Sequence, residues 1–309
     1  MRGRGEAADW SRHTRRMLEA ALAEDVGARD LTTERVVPAR AVGRARVVAR
    51  EPGVLAGGGV AAWIFERMER RLAIRRPIRE GERFAAGDTV LEVAGRVGPI
   101  LTGERVALNL LAHLSGVATL TREYVDAVAG TGALIVDTRK TTPGWRELER
   151  AAVRAGGGTN HRFGLYDAIL IKENHVRAAG GVAPAWRRAG RAGARAALAA
   201  RRPAFAEIEV RNLRELDEAL EAGARMILLD NFAPAGLARA VRRARRRAPD
   251  VVLEASGGVT LATVRAVAES GVDRISIGAL THSARALDLS LLLEERRRAV
   301  GRGRRTRVA

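Results

Sequence analysis

The stretch RMILLDNFAPAGLARAVRRARRRAPDVVLEASGG, residues 225–258, decides the fold. An apolar run, 226–229, stops at Asp230. Leu237 and Val241 then share one face of an amphipathic stretch, with the basic run 242–247 on its solvated side. A second apolar run ends in the turn Ser256-Gly257-Gly258. Short apolar runs separated by helical spacing are the units of a parallel α/β fold. The unit recurs on both sides, as ALIVD-TRK, AILI-KEN, AEIEV and RISI-GAL. From Glu209 to Asp230 is 21 residues, to Ser256 another 26 and to Gly278 another 22. Asn212, with Glu215 three residues on, predicts one helix start, and Gly223 its stop. Thr260 and Gly271 bound the next helix in the same way.

The carboxyl ends of the strands in an α/β barrel open on one face, where active sites form. Arg139, Lys140, Lys172, Glu209, Asp230, Ser256 and Gly278 fall at or near such ends. The pattern therefore predicts that they converge on one mouth. Residues 1–118 lack the repeating unit. They read as a helix around 17–25, a turn-rich segment, short strands at 43–50 and 88–95, and a helix over 103–130 that bridges into the second part. The expected organisation is an N-terminal unit over 1–118 and an α/β barrel over 119–285. Residues 286–309 are expected as a C-terminal helix and basic tail returning to the N-terminal unit.

Composition limits the function classes. A hydrophobic content of 47% supports a substantial core, and the absence of cysteine excludes disulfides and thiolate metal sites. No apolar run is long enough for a membrane helix, so a soluble cytoplasmic protein with no membrane partner is expected. The net charge of +18 raises the possibility of nucleic acid. Against it, the arginines are scattered and aromatic content is 4%, which leaves few stacking platforms. An arginine-rich RNA-binding protein would also leave the strand-end carboxylates unexplained.

Lysine is the rare cation. Among 54 basic residues only Lys140, in VDTRKTTPG (136–144), and Lys172, in ILIKENH (169–175), are lysine. Lysine is a compact point charge where arginine is a planar fork. Two lysines in an arginine-writing sequence point to tight pockets. The turns ASGG (255–258) and IGALTHSA (277–284) offer backbone N–H groups, Ser256 and small residues for a phosphate. Glu209 and Asp230 suit ribose hydroxyls or a magnesium ion carried by phosphates. His161 and Arg162, in GGGTNHRFGLYD, add to the cations Arg139 and Lys172, a set suited to a substrate with more than one carboxylate.

ERVALNLLAHLSG (104–116), DTRKTTPGWRELERAAVRAGGGTNHRFGLYDAILIKENH (137–175), EIEV, LLDNF, ASGG and ISIGALTHSA resemble the quinolinate phosphoribosyltransferases. ALAEDVGARDLTT (21–33) resembles their amino-terminal segment, so the likeness spans nearly the whole chain. Glu173, where aspartate is usual, and Trp145, where an aliphatic is usual, are mild departures. The arginine-rich 187–202 and the basic tail look peculiar to this chain. The resemblance implies an N-terminal α/β sandwich with an incomplete (β/α) barrel, in a homodimer or higher even oligomer with shared mouths. It implies transfer of a phosphoribosyl group from phosphoribosyl pyrophosphate to quinolinate with loss of CO2 and with Mg2+, in NAD biosynthesis. Arg105 (from the partner subunit), Thr138, Arg139, His161, Arg162 and Lys172 are then expected to hold quinolinate. Lys140, Glu209, Asp230, Ser256, Gly257, Gly258, Gly278, Ala279 and His282 would face phosphoribosyl pyrophosphate, with Lys140, Lys172, Glu209 and Asp230 as the catalytic set. Rival readings are a molybdenum-transport-associated paralogue of the same fold and a nicotinate phosphoribosyltransferase, whose substrate has one carboxylate.

Overall fold

A computed structural model describes residues 10–189 and 205–294. The chain opens with α1 (Arg12–Val26) and α2 (Leu31–Val36), then β1 (Val42–Ala49), β2 (Gly53–Val54), α3 (Gly58–Met68), β3 (Ala73–Arg75), β4 (Arg83–Phe84) and β5 (Thr89–Arg96). A 31-residue helix, α4 (Val97–Ala127), follows. It begins six residues before the expected start, because Pro99 sits in the first turn, where its missing N–H costs nothing.

The second part runs β6 (Leu134–Val136), α5 (Arg146–Ala155), β7 (Ile169–Ile171), α6 (Glu173–Ala179), β8 (Ala206–Val210), α7 (Leu213–Glu221), β9 (Met226–Asp230), α8 (Pro234–Arg247), β10 (Val252–Ser256), α9 (Leu261–Glu269), β11 (Arg274–Ser276), α10 (Ala279–His282) and β12 (Leu289–Leu293). Of the arginine-rich 187–202 expected as a loop, 187–189 instead belong to a helical stretch running through 182–189, and the rest, like the 295–309 tail, lies outside the described residues.

Two larger sheets organise these elements. An antiparallel sheet has the order β12-β1-β5-β3, and a parallel sheet has the order β6-β11-β10-β9-β8-β7. Ala45, Val47, Leu91 and Val93 of the antiparallel sheet join a buried core with Ile64 and Phe65 of α3 and Leu111 and Leu114 of α4. The C-terminal helix expected from residue 286 is a correction within the described residues: 289–293 is a strand. Leu289 and Leu291 fall on the core side, and the backbone pairs with the edge of β1, Leu291 opposite Val47. The segment is only five residues long, so as a helix it would leave most of its terminal backbone groups unpaired, whereas the open edge of β1 supplies partners. The segment does return to the N-terminal unit.

In the parallel sheet Ile208, Val210, Ile227, Leu229, Leu253 and Ala255 enter the core with Leu216 of α7, Leu237 of α8 and Val264 of α9. The alternate residues point the other way. The sheet is an incomplete barrel, since β6 and β7 do not pair. Beside β6 the chain at Thr159 makes a single parallel bridge to Val136, with Thr159 N–H donating to Ile135 at 2.8 Å. The caps match the sequence pattern: Asn212 Oδ1 accepts from Glu215 N at 2.9 Å, and Glu215 Oε2 accepts from Arg211 N at 2.8 Å. Three arginines of α8 are paired with carboxylates. Arg243 and Arg247 pair with Asp217 on α7, and Arg245 with Asp273 before β11. This basic run braces one barrel unit against the next.

Candidate active site

The carboxyl ends of the strands surround a cavity of about 680 Å3, within the range of small-molecule sites. Thr138, Arg139, Lys140, His161, Arg162, Lys172, Glu209, Asp230, Ser256, Gly257, Gly258, Gly278, Ala279 and His282 all line it. Arg105 does not: it is exposed on α4, outside the cavity of its own chain.

Several of these groups are fixed by neighbouring side chains. The Lys140 loop is fastened from both sides. Thr281 donates to the Lys140 carbonyl at 2.7 Å, while Glu149 of α5 accepts from Thr142 N at 3.0 Å and contacts His113 of α4 at 2.9 Å. The Lys140 stem crosses Gly278, where a Cβ would lie 2.9 Å from Lys140 Cδ and 3.0 Å from His282 Nε2. Opposite, Glu209 accepts from Glu173 N at 3.3 Å. Burial, with the charge of Asp230 added, pushes its carboxyl upward. Asn231 holds Asp230, Nδ2 to Oδ2, at 2.8 Å from a left-handed backbone of φ 57°. Gly257 takes φ 100°, and a Cβ there would fall 2.1 Å from Asn231 Oδ1. Only glycine fits both the conformation and the space.

The loop bearing His161 and Arg162 hangs on a buried ion pair. Asp137, at the end of β6, accepts from His161 N at 2.7 Å and from Asn160 Nδ2 at 2.6 Å. Arg150 of α5 lies 3.4 Å from Asp137 and donates to the carbonyls of His161 and Arg162 at 2.8 and 3.1 Å. Arg162 itself is 6% exposed, with one guanidinium nitrogen on the Ala168 carbonyl. Both ring nitrogens of His161 are engaged. Nδ1 accepts from Arg162 N at 2.7 Å, and Nε2 lies 2.9 Å from Glu207.

Sequence reading missed the supports: Asp137, Arg150, Asn160, Asn231, Glu207, Glu254 and Arg274. The carboxylates of Glu207 and Glu254 stand one turn of alternation below Glu209 and Ser256 on β8 and β10. With His161 they could in principle hold a cation, yet Arg274 Nε stands 3.1 Å from Glu254 and already supplies positive charge there.

The mouth is thus lined by the cations Arg139, Lys140, Arg162 and Lys172 and by the carboxylates Glu209 and Asp230, with a glycine turn shaped for an anion, and Lys172 acts on Glu209 from the neighbouring strand. Residues 30–115 match the model of the quinolinate phosphoribosyl transferase N-terminal domain, and residues 117–292 that of its C-terminal domain. The chain belongs to the quinolinate phosphoribosyl transferase family. The family seam between residues 115 and 117 falls inside α4, which runs through it unbroken. The chain is 44% identical over 279 residues to a nicotinate-nucleotide pyrophosphorylase (carboxylating) of Mycobacterium leprae, covering 89% of this chain and 95% of that one. It is 37% identical over 306 residues to a quinolinate phosphoribosyltransferase (decarboxylating) of Nicotiana tabacum, covering 95% and 85%. The solved structure of the nicotinate-nucleotide pyrophosphorylase of Francisella tularensis superposes with a TM-score of 0.84 at 37% identity, over 91% of this chain and 96% of that one. No helix among the described residues is long and apolar enough to cross a membrane.

Proposed function

We propose that this family member transfers the phosphoribosyl group of phosphoribosyl pyrophosphate to quinolinate with decarboxylation, giving nicotinate mononucleotide, pyrophosphate and CO2. The observation that carries the reading is the set of cations that line the mouth. Arg139, Arg162 and Lys172 offer cations for two adjacent carboxylates, a number that the single carboxylate of nicotinate would leave partly unpaired. Lys140 lies on the Gly278 side, where it would meet the pyrophosphate, and the Ser256-Gly257-Gly258 turn at the start of α9 would take the 5-phosphate. Glu209 and Asp230 would bind the ribose hydroxyls and stabilise the cationic ribose as pyrophosphate departs.

The mouth carries hard oxygen donors and no thiolate, a set that fits Mg2+ arriving on the substrate's phosphates. When bound, the ion would supply charge neutralisation to the leaving pyrophosphate. Attack by the pyridine nitrogen needs no general base, because that nitrogen carries no proton. Arg105, exposed on α4, supports a dimer in which it reaches the partner's mouth. The test is quinolinate-dependent release of pyrophosphate, with nicotinate as control. Turnover with quinolinate and little with nicotinate is expected; equal turnover of both would overturn the substrate assignment.

A further inference from the structure

Beneath the mouth, β8 and β10 bring Glu207 and Glu254 to the same imidazole. His161 Nε2 lies 2.9 Å from Glu207 Oε2 and 3.6 Å from Glu254 Oε1. Because Nδ1 accepts the Arg162 N–H, the neutral ring carries its hydrogen on Nε2, between the two carboxylates. Both carboxylates are 0% exposed. Glu254 nevertheless lines the cavity, and neither of its oxygens meets a donor in good hydrogen-bond geometry, nor does Glu207 Oε1. The adjacent Ser276 hydroxyl is shared between Glu254 and the Ala255 carbonyl, 3.5 Å away, and offsets little of the burial. Arg274 Nε is near Glu254 but off the angle of a hydrogen bond.

A bare carboxylate in such a place is costly, and a proton on it removes the cost. The charges facing the cluster are Arg274 from β11, Arg162 and Asp137 from the loop side, and Glu209 from the next layer of β8. Arg274 and Arg162 do not outweigh burial: Glu254 and Glu207 are each held up at about 7, and His161 is driven below its usual range. Near neutral pH the cluster therefore holds a proton on the carboxyl side.

The decarboxylating reaction consumes one. When the bond from C2 of the pyridine ring to its carboxylate breaks, CO2 leaves and the electron pair stays on C2, beside the cationic ring nitrogen. C2 must then gain a proton, or the pair can recapture CO2. We propose that Glu254, backed by His161 and Glu207, is the acid that protonates C2 after CO2 departs. The Glu254 O–H bond breaks, the new C2–H bond forms, and the carboxylate left behind is reloaded from solvent as product leaves. This assignment rests on the transferase reading above.

The experiment is a single turnover with quinolinate and phosphoribosyl pyrophosphate, following pyrophosphate and nicotinate mononucleotide separately. In wild type the two should rise together. In Glu254→Gln pyrophosphate should appear within about threefold of the wild-type rate, while nicotinate mononucleotide forms about 10²-fold more slowly, the usual scale of a lost general acid. The undecarboxylated phosphoribosyl adduct should accumulate. Wild-type product formation should fall as pH rises above neutral and Glu254 loses its proton, and the glutamine variant should lose that limb. If Glu254→Gln does not fold, Glu207→Gln carries the same split. Products that stay in step in a folded variant overturn the proposal, whether both keep the wild-type rate or both slow equally, the second pattern meaning positioning alone. Absence of quinolinate-dependent pyrophosphate release from wild type would instead sink the transferase reading, and this assignment with it.

Discussion

Lys140 shows what a single side chain is asked to do. Its stem passes over Gly278 with no space for a Cβ, and its loop is anchored by Thr281 and Glu149. Lys140→Arg keeps the charge but puts a planar fork where a narrow stem and a point charge fit. We expect kcat/KM to fall about 10²-fold, the scale of an ångström-sized misplacement, with Tm unchanged because the side chain is exposed. Wild-type kinetics would mean that only its long-range charge counts. Its place on the mouth was legible in the sequence because lysine is rare there and Lys140 follows shortly after the apolar run of β6. Glu254 was not. It lies inside the run VVLEASGG, two residues before the recognisable turn, and only the inward side of a barrel strand gives it meaning. Arg150 was hidden differently: on a helix surrounded by charged residues it reads as solvated, and the structure buries it under the His161 loop.

Strand and helix alternation was readable because each barrel unit repeats one apolar period and one stop signal. The long helix α4 was readable in type but not in tightness. Its Gly116 lies against the segment leading to β12, where a Cβ would meet the Arg285 carbonyl oxygen at 1.9 Å. That contact joins residues 169 apart in sequence, so no local pattern announces it. Backbone cannot rotate aside as a side chain can. Gly116→Ala should cost about 1–3 kcal/mol through overpacking, despite alanine's better helix propensity. Urea unfolding measures it, and a midpoint at or above the wild-type value would show that the two segments are not in close contact. The C-terminal strand escaped the sequence for a related reason. A leucine-rich run suits either helix or strand until the open edge of β1 decides.

On the scale of the full molecule, Arg105 is the one expected quinolinate contact that does not line the mouth. Arg105 points from α4 to solvent rather than into its own chain's cavity. Arg105→Ala and Lys172→Ala proteins should each lose most activity. In the proposed dimer, mixed reassembly should restore part of it, because one hybrid mouth then holds both intact residues. Confirmed hybrids without rescue would place Arg105 outside the chemistry. The pairing of β12 with β1 carries a different consequence, one of timing. On the ribosome β1 is synthesised some 240 residues before its partner, Val47 long before Leu291. Until then a nascent chain presents an unsatisfied sheet edge, the kind of surface that recruits other strands. Completion of the amino-terminal sheet therefore waits for the whole barrel to be translated, and holdase chaperones that shield open edges should bind the unfinished polypeptide more than the finished one.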